Sequence, residues 1–85
     1  MTIVIDSKGL EYRILKHPYL TYEIEVSLPI QGGLSVYHLL IEQEKKDYLK
    51  KGIVVLQNRI SDMKEKYTTY RVVLGDNKTK EQQFI

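Results

Sequence analysis

Residues 49–67 read LKKGIVVLQNRISDMKEKY, and apolar side chains recur there every three or four positions. That spacing places six of them along one side of an α-helix: Leu49, Ile53, Leu56, Ile60, Met63 and Tyr67. Acidic residues that precede basic ones by four positions, such as Asp62 before Lys66, each add about 0.2–0.5 kcal/mol on a helix surface. The pattern predicts one long amphipathic helix over residues 43–67.

Gly52 is the weak point of this helix, because glycine costs about 1 kcal/mol relative to alanine in a helix interior. The four residues that follow it, Ile-Val-Val-Leu at 53–56, are typical of a strand. The alternative is therefore a helix that ends at Lys51, a strand over 53–57 and a second helix from Asn58.

The rest of the chain favours β-strands, with alternation clearest in YEIEVSL, residues 22–28. Strands are predicted over residues 2–5, 10–15, 22–28, 34–41 and 70–74, separated by turns rich in Gly, Pro and Asp. We expect an α+β fold of two layers, in the order β-β-β-β-α-β. Its mostly antiparallel sheet of about five strands carries the long helix on one face. A crossover through one helix would make the fifth strand parallel to the fourth.

Length and composition indicate one small domain. The chain has 85 residues, which we divide into a domain over 1–77 and a polar, mobile tail over 78–85. It has no cysteine, and no apolar run approaches the roughly 20 residues that span a bilayer. The N-terminal residues lack the features of a signal peptide. We therefore expect a cytoplasmic protein without membrane contact.

Residues that could carry catalysis are few. The two histidines, His17 and His38, have no clustered partners and no metal-ligand spacing. Glu11, Glu23 and Glu25 follow strand alternation, so they predict a solvated outer sheet face on which Arg13 can form an ion pair across a hairpin. We accordingly expect no enzyme activity, metal, cofactor or small-molecule substrate.

Basic residues concentrate on the predicted helix, although the net charge is only +2. Tyr67 and Tyr70 lie between Lys66 and Arg71, a local composition that can stack bases and hold a phosphate backbone. The alternative is that the lysine stems only cover the edges of the apolar side. The predicted nucleic-acid-binding residues are Lys45, Lys50, Lys51, Arg59, Lys64, Lys66, Tyr70 and Arg71.

Val54 and Val55 point away from the apolar side of a continuous helix. Together with Tyr48 they would form a small apolar patch on a charged face, which is typical of a contact site. We therefore predict that Tyr48, Val54 and Val55 contact a protein, either a second copy of the chain or a different protein.

These features favour a small non-catalytic binding protein that acts by covering a macromolecular partner. Small antitoxins, immunity proteins and phage-encoded inhibitors of host defence act in this way, and RNA can take part in such contacts. The analogy rests on size and on the missing motifs. The alternatives are an RNA-binding protein that uses the basic helix, and a structural or assembly subunit.

Overall fold

The computed structural model describes residues 2–9, 11–29 and 33–74. Four strands come first: β1 (Ile3–Lys8), β2 (Tyr12–His17), β3 (Thr21–Leu28) and β4 (Leu34–Leu39). The helical layer follows with α1 (Glu42–Lys51), a 3₁₀ turn (Ile53–Leu56), α2 (Gln57–Glu65) and a second 3₁₀ turn (Tyr67–Thr69). The chain then enters β5 (Arg71–Leu74). The α+β class is confirmed; the predicted tail over 78–85 lies outside the described residues.

The five strands form one antiparallel sheet in the order β1-β2-β3-β4-β5. Each strand pairs with the one before it, so β3 lies at the centre and the predicted hairpin of the first two strands is confirmed. Strand alternation sends Ile24 and Val26 toward the helical layer and Glu23 and Glu25 toward the other side. Among the described residues, the helices therefore cover one face of the sheet and leave the other without a helix; we call the latter the open face.

The helical layer breaks at Gly52, so the prediction of one continuous helix over 43–67 is wrong. Gly52 has φ +86° and ψ −165°, a backbone region that is essentially restricted to glycine. Its N–H donates to the Tyr48 carbonyl (2.8 Å), which closes α1. The alternative placed the end of α1 correctly at Lys51 but predicted a strand over 53–57. Residues 53–56 form a 3₁₀ turn instead, in which Leu56 is buried and Ile53 and Val55 pack against the core, so this β-rich stretch contributes to the helical layer and not to the sheet.

The break also explains why β5 is antiparallel to β4, which corrects the predicted parallel pairing. Tyr37 near the end of β4 lies opposite Arg71 at the start of β5, so the chain leaves and re-enters the sheet at the same end. A single straight helix would carry the chain to the opposite end. Two shorter helical segments joined at Gly52 let it travel out and back.

The core lies between the covered face and the helical layer. Leu56, Ile60 and Met63 of the predicted apolar side are buried, and Ile53 and Tyr67 are partly buried against them. Leu49 is the exception, since it is 60% exposed. The periodicity is interrupted at Gly52, where α1 ends, so Leu49 and Leu56 belong to different helical segments. The buried core residues are Tyr12, Ile14, Ile24, Val26, Leu34, Val36, Tyr48, Leu56, Ile60 and Met63.

Within residues 2–9, 11–29 and 33–74, no helix is both long enough and apolar enough to cross a bilayer.

Candidate functional site

The open face carries a polar layer that is packed rather than solvated, contrary to the prediction for Glu23 and Glu25. Their side chains are 9% and 4% exposed, respectively, because neighbouring side chains lie over them. The Arg13 Nε donates to Glu25 Oε1 at 2.5 Å, which confirms the predicted cross-hairpin pair. Glu11 is exposed and pairs with Lys8 and Lys64. Alternation along β3 identified the face correctly but could not indicate that partners on β2 and β4 cover it.

One row of side chains crosses four strands of the open face. Arg13 lies opposite Glu25, Glu25 lies opposite Tyr37, and Tyr37 lies opposite Arg71. The Tyr37 hydroxyl donates to Glu25 Oε2 at 2.6 Å. The guanidinium carbon of Arg71 lies 4.6 Å from the centroid of the Tyr37 ring, which is cation–π geometry. We call these four residues the Arg–Glu–Tyr–Arg row.

The two histidines lie on opposite faces of the sheet and cannot act together on one substrate. On the open face, His17 Nε2 lies 2.7 Å from Glu23 Oε1, and its Nδ1 lies 2.7 Å from the Thr2 hydroxyl. On the covered face, His38 Nε2 lies 2.9 Å from Glu44 Oε1. No group of three or more potential metal ligands occurs within residues 2–9, 11–29 and 33–74.

A second network ties the helical layer to the sheet. Arg59 donates from Nε to Glu44 Oε2 (2.8 Å) and from Nη1 to the Tyr70 hydroxyl (3.1 Å). That hydroxyl donates in turn to Asp62 Oδ2 at 2.5 Å. Burial acts to raise the pKa of Glu44, but hydrogen bonds from His38, the Ile41 N–H and Arg59 outweigh it and hold that pKa below its usual value. Tyr70 is therefore a connector between the two layers.

The predicted nucleic-acid-binding residues do not form one surface. Four of the cations are paired with carboxylates: Lys45 with Glu42, Arg59 with Glu44, Lys64 with Glu11, and Lys66 with Asp62. Arg71 lies on the open face, away from the helices. Lys50 and Lys51 are exposed at the end of α1, where the described residues place no carboxylate within ion-pair distance. RNA binding through these residues stays a prediction.

Tyr70 differs from the free stacking ring that the sequence suggested. Its hydroxyl is hydrogen-bonded to two side chains, and its ring meets His38 edge-on, with centroids 5.8 Å apart and planes at 86°. Tyr67 is partly buried against the core. The distances and hydrogen bonds leave neither ring as an open platform for a base.

The predicted protein-interface residues are separated by burial. Tyr48 is only 8% exposed and its hydroxyl donates to Asp6 Oδ2 at 3.3 Å, so its expected exposure is wrong. The reason is the break at Gly52, which gives α1 an orientation that a continuous helix would not have. Val55 is partly buried against the core, and Val54 alone is exposed, at 67%.

Tyr48 gives a prediction for alkaline stability. Burial, with help from the Asp6 carboxylate, raises the pKa of Tyr48 from 10.0 to about 12. A raised folded-state pKa means that the stabilisation is complete below pH 10 and is lost as the pH rises through 12. Tyr48→Phe cannot ionise, so its melting temperature should fall less over this range than that of the parent. The exposed Tyr19→Phe is the control, and an equal fall in all three proteins would contradict the assignment.

Exposed apolar side chains instead gather at one end of the sheet. β2 ends and β3 begins there at the turn over residues 18–20. β1 starts at the same end, where Ile3 lies opposite Lys16, and β4 ends there, where Leu39 lies opposite Glu23. We call this surface the apolar tip; it comprises Ile3, Pro18, Tyr19, Leu20, Leu39 and Ile41, all exposed.

Tyr19 and Leu20 dominate the apolar tip, being 98% and 62% exposed. Both have left-handed backbone angles, with φ of 64° and 59°. This conformation costs non-glycine residues roughly 1–2 kcal/mol each. A cleft of about 360 Å³ lies beside them, lined by Ile3, Lys16, His17, Pro18, Tyr19 and Leu20. The sequence analysis predicted only a connection between the strands over 10–15 and 22–28 here; the signal it passed over is Tyr-Leu directly after a proline.

The chain was compared with protein-family models, curated proteins and solved structures, and none of the three comparisons gives a match. Function therefore has to be argued from the geometry of the apolar tip, the helical-layer network and the open face.

Proposed function

We propose that this chain is a small non-catalytic protein-binding protein, inhibitor-like in the manner of an antitoxin, an immunity protein or a phage anti-defence protein. It covers a site on a protein partner with the apolar tip. The observation that carries the proposal is the side chain of Tyr19, which is 98% exposed on a turn whose backbone is strained. A strained conformation at two bulky residues is more readily explained by a binding role than by stability.

Tyrosine suits this role because it offers a large contact area and few rotatable bonds. Tyr, Trp and Arg are enriched among the residues whose truncation costs a complex 2 kcal/mol or more. The turn over residues 18–20 is short and begins with Pro18, so the ring is presented on a constrained backbone. A preorganised anchor loses less entropy on binding than a mobile one.

The surroundings of the apolar tip indicate the chemistry of the partner. Lys16 and Lys45 flank it, and Lys45 Nζ lies 3.4 Å from the Leu20 carbonyl oxygen. Glu42 is the carboxylate paired with Lys45, at 3.3 Å, and within the described residues Lys16 has none. An apolar pocket with an acidic rim would complement this surface, because opposite charges at a rim steer association.

The test replaces Tyr19 by glycine, which removes the anchor and also relieves the backbone strain. Because glycine adopts positive φ freely, Tyr19→Gly should leave the melting temperature unchanged or raise it. The immobilised Tyr19→Gly chain should nevertheless fail to capture the protein that the parent chain captures from a cell lysate. The Kd of that complex should rise by a factor of about 30 or more. Loss of binding with preserved stability separates a binding role from a structural one.

Val54→Ser is the control, since Val54 is also an exposed hydrophobic residue, at 67%, but lies on the helical layer. A protein retained by the parent and by Val54→Ser but lost by Tyr19→Gly supports the proposal. Equal retention by the parent and both variants contradicts it. RNA binding by the basic helix would instead be favoured if the captured protein is lost after nuclease treatment and is also lost by the double variant Lys50→Glu, Lys51→Glu.

A further inference from the structure

We propose that the open face holds a second site, in which Arg13 and Arg71 bind the phosphate or carboxylate group of a small molecule above Glu25 and Tyr37. This site is separate from the apolar tip and does not depend on the proposed function. It lies in a concavity of about 410 Å³, a volume within the usual range for ligand sites. Its lining residues are Arg13, Leu15, His17, Glu23, Glu25, Tyr37 and Arg71.

Arg13 and Arg71 occupy the two ends of the Arg–Glu–Tyr–Arg row. Arg13 lies on β2 and reaches over β3 to Glu25, while Arg71 lies on β5 and reaches over β4 to Tyr37. β3 and β4 are neighbouring strands, and such strands lie about 4.8 Å apart. The two cationic groups thus stand above adjacent strands, although their backbones are three strands apart.

The carboxylates and the guanidinium groups lie at different depths. Glu25 is 4% exposed and accepts hydrogen bonds from Arg13 and Tyr37, and Glu23 is 9% exposed and bonded to His17. The side chain of Arg13 is 46% exposed, and Arg71 is exposed. The carboxylates thus lie at the floor of the concavity, and the exposed groups that a ligand meets first are the two guanidinium groups.

Arg71 is the residue best placed to meet a ligand. No carboxylate among residues 2–9, 11–29 and 33–73 lies within ion-pair distance of it, and its planar group rests on the Tyr37 ring. A guanidinium over an aromatic ring retains the N–H donors in its own plane, and these can bind two oxygens of one oxyanion. Arg13, held at Nε by Glu25, supplies the second positive charge.

The walls of the concavity limit the ligand further. Leu15, two residues after Arg13 on β2, forms an apolar wall of the concavity. Glu23 lies opposite Leu15 on β3. A ligand that carries an oxyanion at one end and a hydrogen-bond donor at the other would contact both arginines and the Glu23 carboxylate. Nucleotides and amino-containing carboxylic acids belong to this class.

The experiment titrates the full chain with inorganic phosphate, AMP and β-alanine, and follows backbone amide signals by NMR. We expect saturable shifts confined to β2, β3, β4 and β5 with at least one probe. Saturation by phosphate or AMP identifies a phosphate site, and tighter binding of AMP than of phosphate shows that the nucleoside contributes. Saturation by β-alanine alone identifies a carboxylate site.

Arg71→Gln should weaken binding by at least tenfold, since it removes the charge and the forked donors. Arg71→Lys keeps the charge and should recover only part of the affinity. Lys51→Gln is the matched control, because it removes one exposed positive charge at the end of α1 and should leave binding unchanged. Arg71 is exposed, so melting temperatures should stay close to that of the parent.

Two results would overturn this proposal. One is the absence of saturable shifts with all three probes. The other is shifts that are equal in the parent, Arg71→Gln and Lys51→Gln, which would indicate only general attraction to a basic protein. Neither result bears on the apolar tip, because Tyr19→Gly leaves all the residues of the concavity in place.

Discussion

Leu56→Ala should lower the free energy of unfolding by about 2–5 kcal/mol, the usual range for truncating a fully buried leucine. Leu56 is 0% exposed and packs in the core between the 3₁₀ turn and the sheet. Small domains have only about 5–15 kcal/mol of stability in total, so this loss is a large share. Chemical denaturation followed by circular dichroism measures it directly.

Leu49→Ala is the matched control, because the sequence pattern assigns both leucines to the same side of one helix. In the structure Leu49 is 60% exposed, so its truncation should change the free energy of unfolding by less than about 0.5 kcal/mol. Similar large losses for both variants would mean that the helix is continuous after all.

Gly52→Ala should destabilise the protein by about 1–3 kcal/mol, the cost of holding a non-glycine residue in a sparsely populated backbone region. Gly52 combines φ +86° with ψ −165°. A Cβ atom placed there would meet no atom within 4 Å, so the cost is one of backbone conformation and not of crowding. Thermal unfolding of the two proteins at equal concentration gives the difference.

The sign of this effect distinguishes the broken helix from a continuous one. In a continuous helix, replacing glycine by alanine would add about 1 kcal/mol of stability. Gly9→Asn serves as the control, since Gly9 has φ +53°, a left-handed angle that asparagine tolerates. A gain in stability for Gly52→Ala would contradict the break at this residue.

The network of Arg59, Glu44 and Tyr70 shows where sequence reasoning stopped short. Each residue was visible as a charged or aromatic side chain on a predicted helix or strand. Their hydrogen bonds join residues 11 and 15 positions apart, and a periodicity of three to four residues carries no information on such pairs. Arg59 therefore suggested a free phosphate contact, whereas its guanidinium group is held by Glu44 and Tyr70.

The sequence by itself determined the fold class, the alternation of β3 and the buried side of α2 with Ile60 and Met63, because each follows from spacing along a short segment. Tertiary structure alone decided three further features: the antiparallel direction of β5, the burial of Glu25 and the gathering of Tyr19 with Ile3. The direction of β5 depends on the conformation at the single residue Gly52, which the apolar periodicity does not contain. Glu25 is buried because Arg13 and Tyr37 approach it from neighbouring strands. The apolar tip exists because antiparallel pairing brings the start of β1 beside the β2–β3 turn.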